Sequence, residues 1–485
     1  MNGNSYRSIL KGASVFGGVQ VVQVLLNLVR GKFVAMFLGP DGMGISSLFS
    51  SSSLTLQKIS SLGLNLALVK EVASAADDRA RMKEIMAVAR LLITSSALLG
   101  AILCIGLAPW LSRLTFGGYG MTLPFMSLGV AVGFSVAFAG NVSVLQGLRR
   151  LKDISLCSIA GGITGVAAGV PLYYFFGTEG IVPAMGAMAF VMWIFSYISV
   201  RKMDAGRRVH FSLEAHRGVV SRLISLGILL MANELILSVV RYAVNIYINA
   251  TGSTVDVGLY QAASSVTAQY SGMVFSAMAM DFFPRLSRAA SDNRAMRGIV
   301  NRQNEITAII MAPAVALLIL TAPLLIRLLL TPEFLPVTPL MRWMGLGILF
   351  RALMVPMGYI SFAKDNRKMF FWLEGVILNM LTLILSCTGY AIFGLAGLGY
   401  AFVADNLLCL LIYYSVNRRL YRYRLNRKAV TAMTTAILLC AAVFASSLIS
   451  SAICSYTLMS AIAFISILWT LLTLHHRLSS RFKRK

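Results

Sequence analysis

Apolar runs close to twenty residues long recur from one end of this 485-residue chain to the other. A run of that length is what one helix needs to cross about 30 Å of hydrocarbon. Hydrocarbon offers no partner to a backbone N–H or C=O, so an open-ended sheet or a lipid-exposed loop is excluded there. Fourteen such runs can be placed. Six lie at about 12–37, 44–67, 87–108, 121–143, 154–175 and 180–200. Six more lie at about 221–249, 257–280, 304–326, 340–362, 369–388 and 391–415, and a last pair at about 430–448 and 453–474. The predicted fold class is all-α: a polytopic membrane protein of about 14 transmembrane helices. Composition agrees, with 58% hydrophobic and 13% charged residues, where a soluble domain carries about 25% charged.

The charge of +25 arises from 43 Lys and Arg against 18 Asp and Glu. Such an excess also occurs in nucleic-acid-binding proteins, but here its distribution points to a membrane and no nucleic acid. Basic residues gather in alternate connections: Lys70 to Arg90, Arg149 to Lys152, Arg201 to Arg222, Arg285 to Arg302, Lys364 to Lys368, Arg418 to Lys428 and Arg477 to Lys485. The intervening connections hold little beyond Lys32, Arg113 and Arg327. The positive-inside rule then places both termini in the cytoplasm, which requires an even number of spans. Anionic membrane lipids are the expected partners of these loops and of the tail HHRLSSRFKRK. No signal peptide stands out, because the first apolar run is too long for one. The six cysteines have no paired spacing and lie in or near apolar runs, so they read as small hydrophobes. His475 and His476 lack a third ligand, and no metal site is expected. P-loop, HExxH and GxSxG motifs are missing, and no cytoplasmic loop exceeds about twenty-five residues. The chain reads as neither an ATPase nor an enzyme, with no catalytic residue and no bound cofactor.

The chain nearly repeats itself. APWLSRL (Ala108 to Leu114) matches APLLIRL (Ala322 to Leu328) 214 positions on, and both close the third span of their half. LNLVRGKFVAMFLG can be set beside LSVVRYAVNIYINA, which places Arg30 against Arg241; a drift of three residues then places Gly44 against Gly258. Basic loops follow the second and fourth spans of each half. The organisation expected is a six-helix bundle at 1–205, a second at 206–420 and an additional helix pair with a basic tail at 421–485. Six spans per half is even, so the halves share one orientation and are related by a pseudo-two-fold axis along the membrane normal. Parallel halves around a central cavity are a transporter arrangement.

A charge within a span costs about 3 kcal/mol or more and marks function by default. The ionisable residues in or beside the spans are Arg30, Lys58, Glu234, Arg241, Asp281, Glu305, Arg342, Arg351, Glu374 and Asp405. Arg342 and Glu305 stand near span ends, where a long side chain can reach the interface. Arg30 and Arg241 have apolar sequence on both sides. Two readings are open for them: a water-filled cavity that binds an anion, or structural pairing with a carboxylate. Glu234 lies two turns from Arg241 on one helix face, too far for a direct pair. Lys58 would add to a positive cavity, and the hydroxyl run SSLFSSSSLTLQ before it suits either sugar binding or helix-to-helix hydrogen bonds. Arg351 is a fourth cation of this kind. Pro124, Pro313 and Pro356 are candidate helix breaks. The Gly-rich stretches GVAAGV and GLAGLG sit inside spans, where glycine permits close packing.

The stretch GGVQVVQVLLNLVRGKFVAMFLGPDGMGISSLF, Gly17 to Phe49, resembles the start of the polysaccharide flippases. These belong to the multidrug/oligosaccharidyl-lipid/polysaccharide exporter superfamily, which also holds the lipid II flippase and multidrug extruders. The features carrying the resemblance are Gln20 or Gln23 in the first span, Arg30 in its outer part, and the turn Leu38-Gly39-Pro40 followed by Gly42 and Gly44. The resemblance extends through the two-lobe layout over residues 1–420. It implies a flippase moving an undecaprenyl-diphosphate-linked O-antigen or exopolysaccharide unit between leaflets of the bacterial inner membrane, with a polysaccharide polymerase and glycosyltransferases as partners. It gives Arg30, Arg241, Lys58 and Arg351 the role of meeting the diphosphate. A proton or sodium gradient is the implied energy source, with Asp281, Glu234, Glu305 and Asp405 as candidate coupling groups. Polysaccharide flippases often have twelve spans and the lipid II flippase fourteen, so a lipid II flippase is the alternative within the superfamily. A cation-coupled drug or metabolite antiporter and a non-transporting scaffold are the alternatives outside it.

Overall fold

A computed structural model describes residues 3–75, 78–203, 213–364 and 366–482. All regular structure among them is helical. In chain order the helices are α1 (Gly3–Ser61), α2 (Leu64–Ser74), α3 (Arg79–Gly106), α4 (Ala108–Phe116), α5 (Thr122–Gly147), α6 (Leu151–Phe176), α7 (Ile181–Met203) and α8 (Leu213–Thr251). Then follow α9 (Thr254–Arg288), α10 (Asn293–Leu329), α11 (Thr338–Ala363), α12 (Arg367–Phe370), α13 (Leu378–Tyr421), α14 (Arg427–Ser446) and α15 (Ala452–Phe482). Two short 3₁₀ turns and one π-helical segment, Phe371–Ile377, complete the set. The chain is all-helical, as the sequence predicts; nine helical stretches among the described residues are long and apolar enough to cross a membrane, and α1 and α13 are each two helices joined at a glycine kink.

Those kinks are Gly39, with φ 62°, and Gly394, with φ 59°. A side chain there would cost about 1–2 kcal/mol, which favours glycine at both kinks. Pro40 follows the first kink with its φ already set for a helix start. The prolines inside spans behave otherwise. Pro313 and Pro356 lie within unbroken helices, and Pro124 occupies the first turn of α5, where its missing N–H costs nothing. The breaks expected at those three positions are therefore absent, and left-handed glycines bend the chain instead. The repeated motif also diverges in form. APWLSRL begins a separate helix, α4, after a break at Leu107, whereas APLLIRL continues α10.

Two compact units form, Met1–Gly258 and Leu259–Lys485. The repeat boundary drawn at 205/206 lies outside the described residues, as do Arg207 and Arg208. In unit 1, α5 packs on α3 and α7, α6 packs on α7 and α1, and α8 packs along α1 and α2. The core joins Leu68, Val88, Val144, Leu145 and Leu223, all fully buried. In unit 2, α10, α11 and α13 pack together around Val315, Leu318, Met344 and Leu353, and the added pair α14 and α15 docks on α10.

Lipid is as apolar as leucine, so helices hold together through close contact and hydrogen bonds. Gly161 and Gly165 on α6 receive Met192 and Met188 of α7, and Gly397 lies against the Gly389 carbonyl. Asn141 on α5 donates to Ser196 Oγ on α7 at 3.1 Å. The tightest approach in unit 1 is reciprocal. A Cβ on Gly44 would strike the Thr254 carbonyl, and one on Gly258 would strike the Pro40 carbonyl. Positions 40 and 254, and 44 and 258, are equivalents at the 214-residue offset. Each glycine thus lies against backbone at the repeat equivalent of the residue that the other meets.

Gly44→Ala should therefore lower thermal stability by about 1–3 kcal/mol, since backbone must move to admit the methyl. Gly31→Ala should not, because nothing lies within 4 Å of a Cβ there. A thermal melt of the two purified variants in one detergent checks this, and equal melting temperatures would contradict the packing.

Candidate functional site

A polar seam runs between the second half of α1 and α8. Ser47, Ser51, Thr55 and Lys58 recur at helical spacing on α1, and Glu234, Ser238, Arg241 and Asn245 recur likewise on α8. The helices run antiparallel, so the stripes meet in reverse order. Asn245 Nδ2 donates to Ser47 Oγ at 3.3 Å and to Ser51 Oγ at 3.4 Å. Thr55 Oγ1 donates to the Ser238 carbonyl at 3.4 Å. Lys58 Nζ meets Glu234 Oε2 at 3.0 Å. At the far end Asn249 Nδ2 donates to the Thr115 carbonyl of α4 at 2.7 Å, and Tyr242 and Thr115 share a hydroxyl–hydroxyl hydrogen bond.

The seam settles the two readings of the serine run in favour of helix bridging. Ser51 Oγ and Thr55 Oγ1 also bond carbonyls one turn back on their own helix, at 2.8 and 2.9 Å. It also reassigns Lys58 and Glu234. Each balances the other, so Lys58 is not an unopposed cation and Glu234 does not pair with Arg241. The two side chains keep 30% and 54% of their exposure, which leaves them open to solvent and to exchange of partners.

Arg241 lies on the same stripe of α8 and is exposed. Arg30 sits on the first half of α1 and is half-buried; its Nη1 donates to Met188 Sδ on α7 at 3.4 Å. Sulfur is a weak acceptor, and a guanidinium carries five donors. Among the described residues no carboxylate pairs with Arg30. Arg351 belongs to unit 2, is exposed, and acts electrostatically on Asp405.

The acids sort differently from expectation. Glu305 is buried and held by Arg477 of α15 at 2.6 Å rather than reaching the interface. Arg342 is half-buried, with Nη1 donating to the Ser447 carbonyl at 3.3 Å. The Asp281 side chain lies outside the described residues. Asp405 accepts from Thr382 Oγ1 through both oxygens, at 3.1 and 3.0 Å, with Cys409 Sγ at 3.8 Å. Glu374 is a functional candidate that sequence reasoning noticed without assigning. It lies on the π-helical segment, accepts the Tyr413 hydroxyl and packs beside Gly358. Asn379 satisfies the carbonyls of Glu374 and Gly375 at 2.7 and 3.0 Å, which accommodates the wide turn. Such π turns concentrate at functional positions. A sequence signal existed only in hindsight: an acid followed five residues later by an amide, in a run otherwise apolar.

The chain is a multi-pass, all-helical membrane protein with glycine-kinked helices and ionisable residues within its apolar helices. Residues 33–339 match the family described as "Polysaccharide biosynthesis protein", and the chain belongs to that family. The Lipid III flippase of Escherichia coli K12 is 21% identical over 420 residues, covering 84% of this chain and 97% of its own. The Lipid II flippase MurJ in an inward closed conformation superposes with a TM-score of 0.74 at 14% identity, covering 96% and 99% of the two chains. An inward-facing MATE family multidrug resistance transporter of the MOP superfamily gives 0.67 at 17% identity, covering 84% and 98%. These relatives are named as flippases and transporters, and none as an enzyme.

The Lys58–Glu234 pair should show in a double-mutant comparison. The loss in the double variant Lys58→Met/Glu234→Gln should fall short of the sum of the two single losses by about 0.2–1 kcal/mol, the range for an exposed pair. Additive losses in melting temperature would mean that the pair does not form.

Proposed function

We propose that this chain is a flippase that carries a polyprenyl-diphosphate-linked oligosaccharide from the cytoplasmic to the outer leaflet of the inner membrane. The observation that carries the reading is Arg30: a half-buried guanidinium inside an apolar span whose described partner is a thioether. A planar fork of donors with so little to bind fits the oxygens of a phosphate. Desolvating a diphosphate is very costly without opposing charge. Arg30 offsets part of that cost, Arg241 lies exposed to add to it, and Lys58 is available on exchange from Glu234. The apolar tail stays in hydrocarbon, both chain termini face the cytoplasm, access alternates between the two leaflets, and no bond in the substrate breaks.

Asp405 and Glu374 are the carboxylates best suited to couple transport to a proton or sodium gradient, because hydroxyl groups rather than cations are their hydrogen-bond partners. Glu234 and Glu305 are committed to ion pairs, which weakens their claim. A polysaccharide polymerase and glycosyltransferases would act on the same lipid-linked glycan. The second reading, a lipid II flippase, draws on the count of fourteen spans; a diphosphate-binding arginine suits both substrates.

The test is transfer by purified protein in liposomes loaded with defined lipid-linked glycans. Arg30→Ala should slow transfer about tenfold or more, the worth of a charge-assisted hydrogen bond. Arg30→Lys should recover only part, since it lacks the fork. Transfer unchanged by Arg30→Ala and Arg241→Ala together would overturn the site. Transfer of lipid II alone would replace the first reading with the second.

A further inference from the structure

After Asp405 the chain contains no acidic residue, through Lys485. Within that stretch the connection from α13 to α14, RRLYRYRLNRK, places Arg418, Arg419, Arg422, Arg424, Arg427 and Lys428 at the surface. The positive-inside rule asks only for charge here, and a slack loop would supply it. This connection is fastened instead. α13 ends in a left-handed Arg422, φ 52°, and Tyr423 N–H bonds back to the Asn417 carbonyl at 3.1 Å.

The fastening comes from one face of α10. Arg297 Nη2 donates to the Arg422 carbonyl at 2.6 Å. One turn on, Asn301 Nδ2 donates to the Arg424 carbonyl at 2.9 Å, while its Oδ1 accepts from Tyr423 O–H and Asn426 N–H, both at 3.2 Å. A further turn on, Glu305 holds Arg477. Tyr421 and Tyr423 are buried between exposed arginines, and Leu420 beside them keeps 53% of its surface. Burial pushes the Tyr423 phenol above its ordinary range, so it remains a donor to Asn301. Arginines held outward by a fixed backbone lose little freedom when they bind, which is the source of affinity in a preformed site.

We propose that the α13–α14 connection is a preformed site for the headgroup of an anionic phospholipid. Arg422, Arg424 and Arg427 take its phosphodiester, and Leu420 lies against its acyl chains. The absence of carboxylates in this part of the chain leaves these cations unopposed from their own segment. The geometry is built from unit 2 alone and stands whether or not the chain moves a lipid-linked glycan.

The experiment is native mass spectrometry of the full chain in detergent, titrated with phosphatidylglycerol or phosphatidylcholine. Each charge near an anionic surface is worth about a fivefold change. R422Q/R424Q/R427Q should weaken phosphatidylglycerol binding at least about tenfold and leave phosphatidylcholine unchanged. R149Q/R150Q/K152Q, an equal loss of charge from the α5–α6 connection, should change it less than about twofold. N301A removes no charge yet frees the loop, and should still weaken binding several-fold. Should the triple variant fail to fold, N301A and R424Q carry the test. Equal losses in the two triple variants, no change in N301A, or full displacement of the lipid by millimolar inorganic phosphate would each overturn the proposal.

Discussion

Hydrocarbon supplies no hydrogen bonds, and the rest of this structure follows from that. Every backbone N–H and C=O inside the membrane has to find a partner in the chain itself. The clearest result is the α1–α8 seam, where two stripes at helical spacing meet amide to hydroxyl and ammonium to carboxylate. It can form because glycine lets the backbones approach at both ends. Gly63 lies against Gly227 of α8, and at the far end Gly44 of α1 lies against the Thr254 carbonyl at the start of α9, just past the end of α8. The same demand explains Asn379, which answers the carbonyls that the π-helical segment would otherwise leave open. It also explains Arg477, which accompanies the buried Glu305.

Much of the fold was legible because lipid imposes a length and a composition on every span. The apolar runs become helices throughout, nine stretches of them long and apolar enough to cross a membrane among the described residues, and the alternation of basic loops needs no tertiary knowledge. The 214-residue repeat is visible in the letters alone, and Gly44 and Gly258 stand at positions equivalent within it. Helix breaks were less so. Proline is visible in a sequence and drew the expectation of kinks at Pro124, Pro313 and Pro356, yet proline already has a helical φ. A left-handed φ is what turns the chain, and nothing in the letters marks Gly39 or Gly394 apart from the other 38 of the 40 glycines except the proline after the first.

The site was legible in kind but not in arrangement. Intramembrane charge marked Arg30, Lys58, Glu234 and Arg241, but pairing across helices cannot be read from one strand of text. Lys58 and Glu234 are 176 positions apart and meet only because α8 lies along α1. Arg30 gained weight from its structure: the carboxylate that a structural role would require is not beside it among the described residues. Glu374 gained weight as well, from a Tyr413 hydroxyl 39 positions away. The two halves of the account are thus complementary. A guanidinium whose described partner is a thioether suits an anionic headgroup, and carboxylates with hydroxyl partners suit a small cation.

The central claim is that an intramembrane guanidinium recognises the diphosphate of a lipid-linked glycan. It is tested most directly by presenting purified protein in liposomes with one glycan on two carriers, a polyprenyl diphosphate and a polyprenyl monophosphate, and measuring transfer to the outer leaflet. The account predicts markedly faster transfer of the diphosphate, with the difference shrinking in Arg30→Ala. Equal transfer of both carriers by the unaltered chain would contradict it.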